Sequence, residues 1–249
     1  MSGGAPAVRL RQAVLVAAEL EPVAATIRSA LGLEEPFRDP GVGEFGLHNA
    51  VFALGDCFLE IVSPQRAGTA AGRQLERNGG DGGYMVLFDL EDLEAARERA
   101  QRSGVRTVWR IDLPDISGTH MHPSDLRGAI VSLDGSRPYG TWRWGGPRWT
   151  ERIDERPARP PGELRGITVA VAEPEQVAAR WGEVLGVEPA GDGGSVLALD
   201  GAEVRFRAPQ SDEHEGIVEI ALAVPAQVRG GREAIDLGSA RLTLVDLAG

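Results

Sequence analysis

The apolar residues of this chain follow two periods, which alternate in the same order in both halves of the sequence. An apolar run at 13–17 precedes apolar residues at four-residue spacing, which stop at Gly32. A second run at 167–171 precedes the same spacing, which stops at Gly186. Short apolar runs are typical of buried strands, and apolar residues four apart share one face of a helix that glycine can end. The sequence therefore predicts a strand followed by a helix at both places.

Two further copies of this unit complete the pattern. One begins with a strand at 84–90 and continues with a helix at 91–103. The last begins with a strand at 217–224 and ends with a strand at 240–246, but its middle is too short and glycine-rich for a convincing helix. Strand-like segments follow each helix, so the unit is βαβββ. We predict an α+β protein of four βαβββ modules, of which the fourth is degenerate.

Prolines separate the modules into two pairs. Pro157, Pro160 and Pro161 lie close together between the second and third modules, as is typical of a linker. The predicted organisation is a first domain at 8–148 that contains the active or binding cavity, a linker at 149–163 and a second domain at 164–249.

Composition excludes several classes of protein. The 249 residues are 42% hydrophobic and carry a net charge of −11, with acidic and arginine side chains intermixed and no lysine. Such a chain is a poor partner for nucleic acid or an anionic membrane surface. No apolar run approaches the ~18 residues of a membrane span, and the single cysteine excludes an internal disulfide. We expect a cytoplasmic protein, either a monomer or a homodimer.

Three ionisable side chains stand out as candidate chemistry. His120 and His122 are two residues apart, so both rings would share one face of a strand and could serve a metal or proton-transfer site. Glu60 lies within the apolar segment Cys-Phe-Leu-Glu-Ile-Val, where burial would raise the pKa of its carboxyl group towards that of a general base. Pairing of strands 47–54 and 57–62 in a tight hairpin places Asn49 on the same face as Glu60.

Several segments resemble the vicinal oxygen chelate superfamily, which includes glyoxalase I, methylmalonyl-CoA epimerase, extradiol dioxygenases and bleomycin-resistance proteins. Paired βαβββ modules are typical of that superfamily. Residues 12–16 resemble the opening strand of glyoxalase I, and 59–64 resemble the fourth strand of the glyoxalases and epimerases. The His-Pro turn at 122–125 and the strand after Gly128 resemble the end of the epimerase domain. The resemblance implies two glyoxalase-like domains, with the first half covered better than the second.

The resemblance also implies four metal-ligand positions, which fall on Gln12, Glu60, Met85 and Ser132. Glutamine and glutamate suit hard divalent ions, whereas a thioether is soft and a serine hydroxyl is a poor ligand. Half of the inherited set is therefore missing. One alternative is a substituted site in which His120 and His122 join Gln12 and Glu60 around one divalent ion. The other is that both histidines are neutral and line the pocket, hydrogen-bonded to backbone or substrate.

Tryptophans after the second module offer a further choice. Trp142 and Trp144 would share a face if the chain were extended there. They could form a lid that stacks on a planar or acyl ligand, or, with Trp149, a clamp between the two halves. We place both among the predicted substrate-binding residues, together with Gln12, Asn49, Met85 and Ser132.

Two functions are compatible with these residues. The first is an enzyme of lyase or isomerase type that acts on a small carbonyl- or acyl-containing molecule, with Glu60 as the base and His120 or His122 stabilising an enolate oxygen. The second is a metal-free protein of the bleomycin-resistance kind, whose pocket sequesters an apolar or aromatic compound. The clustered Glu60 and histidines favour the enzyme. The loss of Met85 and Ser132 as ligands favours the binding protein.

Overall fold

The repeat predicted from the apolar pattern is present in the computed structural model, which describes residues 7–150 and 162–247. The elements of the first half are β1 Val8–Val16, α1 Leu20–Leu31, β2 Leu47–Leu54, β3 Cys57–Pro64, α2 Ala70–Asn78, β4 Gly82–Leu90, α3 Leu93–Arg102, β5 Thr107–Asp112, β6 Ile116–Met121 and β7 Ile130–Ser136. Those of the second half are β8 Glu163–Ala170, α4 Pro174–Leu185, β9 Val196–Ala198, β10 Glu203–Arg207, β11 Gly216–Val224, α5 Ala226–Arg229, β12 Ala234–Leu237 and β13 Ala240–Asp246. The α+β class and the four modules are confirmed, and the degenerate fourth module has only the one-turn helix α5.

The two long helices of the repeat, α1 and α4, end in the same way. Gly32 follows α1 with φ 62°, and Gly186 follows α4 with φ 75°. This left-handed conformation costs glycine little, and it lets the backbone N–H return to a carbonyl of the last turn. The acceptors are the carbonyls of Arg28 and Gly182. Gly32 and Gly186, which the sequence predicted as helix ends, therefore end both helices because they adopt this left-handed conformation.

The first sheet has seven strands in the order β2-β3-β1-β4-β7-β6-β5. The opening strands of the two modules, β1 and β4, are antiparallel neighbours at its centre. Each is also parallel to the closing strand of its own module, β3 or β7, as a helical crossover requires. This register places Glu60 beside Val14, and Val14 beside Met85, in one row across the sheet.

The second sheet has six strands in the order β12-β13-β11-β8-β10-β9, and one continuous apolar core joins it to the first sheet. Trp181 of α4 lies at the junction. Its ring makes edge contacts with Phe88 of the first sheet at 6.2 Å and with Phe206 of the second at 5.2 Å, measured between ring centroids. Its Nε1–H donates to the carbonyl of Arg127 at 3.1 Å. A fully buried tryptophan thus holds the two halves together.

The structure corrects one expectation, about the tryptophan clamp, and adds one helix that was not predicted. The Trp142–Trp149 segment is not a clamp between the halves, because both rings pack against Phe58 on the other face of the first sheet. Helix α2 was not predicted, although Thr69 supplies a good signal by accepting a hydrogen bond from the N–H of Gly72 at the helix start.

The central part of the predicted linker, 151–161 with its three prolines, lies outside the described residues. Its flanks are a short helical turn at Pro147–Trp149 and the first residue of β8. None of the helices in the described ranges is long and apolar enough to span a membrane.

Candidate functional site

Glu60 lies near the middle of β3, on the sheet face that is turned away from the second half. Most residues on that face are apolar, and the carboxyl group is buried with 6% of the residue exposed. The hairpin of β2 and β3 pairs Val51 with Glu60, so Asn49 shares the face, as the sequence predicted. Glu60 and Asn49 therefore meet because strand periodicity places alternate residues on one side.

Two amide groups hold the carboxyl group of Glu60. Gln12 Nε2 donates to Oε2 at 2.7 Å, and Asn49 Nδ2 donates to Oε1 at 2.7 Å. The opposite end of each amide accepts from a group that can only donate. Trp142 Nε1 donates to Gln12 Oε1, and the backbone N–H of Asp39 donates to Asn49 Oδ1, both at 2.8 Å. These obligate donors fix both amides with their nitrogens towards Glu60.

The electrostatic environment gives Glu60 an unusual carboxyl group. Burial raises its pKa from the ordinary 4.5 to about 7, although the hydrogen bonds from Asn49 and Gln12 oppose the shift. The negative charge of Asp39 adds to the increase. A carboxyl group with this pKa is present in both protonation states near neutral pH, as a general base that must also return a proton requires.

A cavity of about 190 Å³ lies against this face of the sheet. Its walls are mainly apolar and aromatic, and the short helical turn at Pro40–Phe45 forms part of its boundary. Its lining includes Gln12, Asn49, Glu60, Met85, His120, Asp134 and Trp144. A small, largely apolar cavity with a few polar groups is the usual form of a site for a small molecule.

His120 lines the cavity from β6. Its ring lies 4.4 Å from that of Trp109 and 5.8 Å from that of Phe45, between centroids. These surroundings remove water from the imidazole, and the resulting burial lowers its pKa to about 4. His120 is therefore neutral at pH 7 and can donate one hydrogen bond or accept one.

His122 does not join His120 in the cavity. Strand β6 ends at Met121, so the strand alternation that would have aligned the two rings stops one residue too early. The half-buried His122 instead caps a turn, where its Nδ1 accepts from the N–H of Ser124 at 3.2 Å and lies 3.3 Å from Arg106. The expectation of two imidazoles on one face was wrong because Pro123 follows immediately and turns the chain.

Asp134 is a cavity residue that the sequence reasoning missed. It lies on β7 with 1% of its surface exposed, and Trp144 Nε1 donates to its Oδ1 at 2.9 Å. Burial raises its pKa to about 7, with the hydrogen bonds opposing the shift. The signal was a carboxylate in a predominantly apolar strand, the same signal that identified Glu60.

The other predicted substrate-binding residues divide into two groups. Met85 and Trp144 line the cavity. Ser132 is fully buried on β7 but does not line it, and Trp142 is fully buried behind Gln12. Trp142 therefore acts on the site only through its hydrogen bond to Gln12.

The donor atoms at the four inherited ligand positions do not suit a divalent metal ion. Both carboxylate oxygens of Glu60 already accept amide hydrogens, and the amide oxygen of Gln12 is engaged by Trp142. Met85 offers a soft thioether, and Ser132 does not reach the cavity. His122 lies elsewhere, so the substituted site with two histidines is not assembled. Within the described ranges, no three His, Cys, Asp or Glu side chains form a group that could hold a metal.

Comparison with known proteins identifies the family of this fold. The family model of the glyoxalase-like domain matches residues 13–185, which is more than half of the chain. The chain belongs to the glyoxalase-like domain family. The vicinal oxygen chelate superfamily predicted from the sequence is thereby confirmed.

Relatives of this glyoxalase-like protein match one half of it or all of it. An ethylmalonyl-CoA/methylmalonyl-CoA epimerase of Cereibacter sphaeroides is 29% identical over 134 residues, covering 51% of this chain and 96% of that protein. A solved methylmalonyl-CoA epimerase of Streptomyces coelicolor, in complex with 2-nitronate-propionyl-CoA, is 23% identical with a TM-score of 0.46, and covers 51% of this chain and 96% of that one. A hypothetical protein from Staphylococcus aureus is 12% identical with a TM-score of 0.66, covers 96% of this chain and all of that one, and shares the fold across both halves.

Proposed function

We propose that this glyoxalase-like protein is an enzyme of isomerase type that moves a proton at a carbon next to a carbonyl group of a small molecule. The carboxyl group of Glu60 is the observation that carries the proposal. It is buried in the wall of a cavity, is fixed by two amides, and has a pKa of about 7. The relative from Cereibacter sphaeroides is an epimerase, which is an isomerase, and it supports this general class of reaction.

The proposed reaction needs only groups that line the cavity. The carboxylate of Glu60 removes the proton from the carbon, and the C–H electron pair moves to form an enolate. The neutral imidazole of His120 donates a hydrogen bond to the enolate oxygen. The aromatic rings around His120 strengthen this hydrogen bond because they exclude water from the imidazole. Glu60, now protonated, delivers the proton to a different carbon that is conjugated with the enolate, and the electron pair of the enolate forms the new C–H bond of the isomer. The same proton abstraction would begin a lyase reaction if a leaving group were present on the adjacent carbon.

Hydrogen exchange tests this proposal without knowledge of the natural substrate. Acetophenone, propionyl-CoA and methylmalonyl-CoA are incubated with the protein in D₂O at pH 7, and loss of the α-hydrogen signal is followed by NMR. We expect exchange in at least one probe, slowed at least about 100-fold by Glu60→Gln. The matched control is Glu219→Gln, which makes the same chemical change in the other sheet. Equal exchange rates for Glu60→Gln and the wild type would overturn the role of Glu60.

A second candidate function is sequestration of an aromatic compound, as in bleomycin-resistance proteins. The rings of Phe45, Trp109 and Trp144 around the cavity favour this candidate. Binding of acetophenone with no exchange in any probe would support the second function.

We further propose that residues 8–148 form the functional domain and 164–249 a structural partner. The described elements of the second half support this division, because its equivalent sheet face is open and polar and carries the ion pair of Arg205 and Glu203. We propose a cytoplasmic monomer or homodimer whose partner is a small molecule.

A further inference from the structure

The ionisable side chains that line the cavity are mainly acidic. Four carboxyl groups line it, from Asp39, Glu44, Glu60 and Asp134, and no arginine does. Within the described residues, no arginine forms an ion pair with any of these four carboxyl groups, although basic residues number 26 in the chain. His120 is neutral at pH 7 and does not compensate them. The positive charge of Arg97 acts on Asp134 from outside the cavity and does not line it. Carboxyl groups that are ionised in the lining generate a negative potential, which a cavity with apolar walls intensifies.

Aromatic rings accompany the carboxyl groups. Phe45 and Trp109 meet edge to face at 5.5 Å and 71°, and Trp144 and Tyr84 also line the cavity. The faces of such rings are electron-rich and attract cations within about 6 Å of the centroid. Rings and carboxyl groups together are the components with which proteins hold ammonium groups.

Asp134 supplies a separate indication that a ligand belongs here. Its Oδ1 accepts from Trp144, whereas its buried Oδ2 makes no hydrogen bond of normal geometry within the described residues, although the nearby Ser132 hydroxyl helps to lower the pKa of this carboxyl group. An unpaired buried oxygen of this kind destabilises the folded protein. Because Asp134 lies in the cavity wall, a positive charge in the cavity would lie close to its carboxyl group. A donor that also carries positive charge would compensate the carboxyl group most fully.

We propose that this cavity binds a small organic cation, an amine or quaternary ammonium compound, and rejects carboxylates and phosphates of similar size. The substrate class so defined differs from that of the acyl-CoA epimerases, whose substrates carry negative charge. The proposal deepens the function assigned to this cavity, but it concerns binding and does not require Glu60 to move a proton.

Three probes of nearly equal shape and different charge test the proposal. Choline is positive, 3,3-dimethylbutan-1-ol is neutral and 3,3-dimethylbutanoate is negative. Binding of each to the full chain is measured at pH 7.5 by calorimetry, or by the fluorescence of the cavity tryptophans. We expect choline to bind at least about tenfold more tightly than the alcohol, with no detectable binding of the carboxylate. Equal affinity for choline and the alcohol, or absence of choline binding, would overturn the proposal.

Two variants locate the effect. Asp134→Asn retains an acceptor for Trp144 and removes the charge, so choline affinity should fall about tenfold while that of the alcohol is unchanged. Trp109→Leu, on the exposed strand β5, should weaken choline several-fold and provides a second test if Asp134→Asn fails to fold. Glu219→Gln is the matched change of charge outside the cavity and should have no effect. An equal loss in Glu219→Gln and Asp134→Asn would show a general charge effect and overturn the assignment to this cavity.

The two proposals fail separately. Preference for choline without Glu60-dependent exchange would overturn only the proton transfer. Glu60-dependent exchange without that preference would overturn only the cation site.

Discussion

Gln12 Nε2 donates a hydrogen bond of 2.7 Å to Glu60 Oε2, and the orientation of the Gln12 amide is fixed because its oxygen accepts from Trp142. The base of the proposed reaction is thus supported by a residue in the 139–149 segment, which follows the second module. The indole and the amide act together. Trp142, which was predicted to contact substrate, instead orients the Gln12 amide that donates a hydrogen bond to the carboxyl group of Glu60.

The first prediction concerns this hydrogen bond. Gln12→Leu removes a donor that favours the ionised carboxylate, so the pKa of Glu60 should rise above 7 by about one pH unit. It also leaves Trp142 Nε1–H without an acceptor, which should lower the free energy of unfolding by about 1–3 kcal/mol. The carboxyl pKa is read by ¹³C NMR of labelled glutamate. Gln74→Leu, on α2, removes another glutamine with side-chain hydrogen bonds and should leave the pKa unchanged.

The second prediction concerns stability and pH. Burial raises the pKa of Glu60 from 4.5 to about 7, so the folded state binds the proton more tightly than the unfolded state does. Its contribution to stability is therefore complete below about pH 4.5 and is lost as the pH rises through 7. The difference corresponds to about 3 kcal/mol. Glu60→Gln does not titrate, so its free energy of unfolding relative to wild type should improve by about this amount between pH 4 and pH 8.

Urea unfolding at the two pH values provides the measurement. Comparing the variant with the wild type cancels other groups, including His120, whose lowered pKa acts in the opposite direction between about pH 4 and 6.5. A difference between variant and wild type that is the same at both pH values would show that the Glu60 carboxyl group is not buried as described.

The sequence predicted the helices and strands around this site better than the side chains that line its cavity. The repeat of apolar run, helix and glycine identified α1 and α4, because helix ends depend on local backbone preferences that a single residue can reveal. Glu60 and Asn49 were placed together because strand alternation needs only the turn between β2 and β3. The resemblance to glyoxalase-like proteins also rested on local segments of sequence, and the match of the family model to residues 13–185 confirmed it.

The prediction that placed His122 in the cavity was wrong because it depended on the position of a strand end. His122 was aligned with His120 because β6 was extended by one residue. Asp134 was not named among the candidates, although it lies in β7. Strand ends depend on tertiary hydrogen bonds, which a periodic pattern does not record. The packing of Trp142 against Phe58 is a long-range contact of this kind, and its position in the chain gave no indication of it.

The third prediction separates the two histidines. His120→Phe keeps an aromatic ring against Trp109 but removes the hydrogen-bond donor from the cavity, so the protein should fold while probe exchange slows about 100-fold. His122→Phe is the matched control, because His122 only caps a turn at the protein surface. Exchange rates and thermal melting of both variants are compared with the wild type. Equal rates in the two variants would remove His120 from the mechanism.

The fourth prediction concerns the junction of the halves. Trp181→Ala removes a fully buried ring that contacts Phe88 and Phe206, and should lower the free energy of unfolding by about 3–5 kcal/mol. Trp181→Phe retains much of the ring and loses the bond to the Arg127 carbonyl, so its loss should be smaller. Trp144→Ala is the contrasting change, with a smaller loss of unfolding free energy, because that ring is half-buried and borders a cavity.

Because Trp181 joins the apolar core to both sheets, Trp181→Ala should also destabilise the two halves together. Hydrogen exchange of backbone amides should show faster opening in β4 and in β10, whereas faster opening confined to one sheet would mean that the halves are stabilised independently.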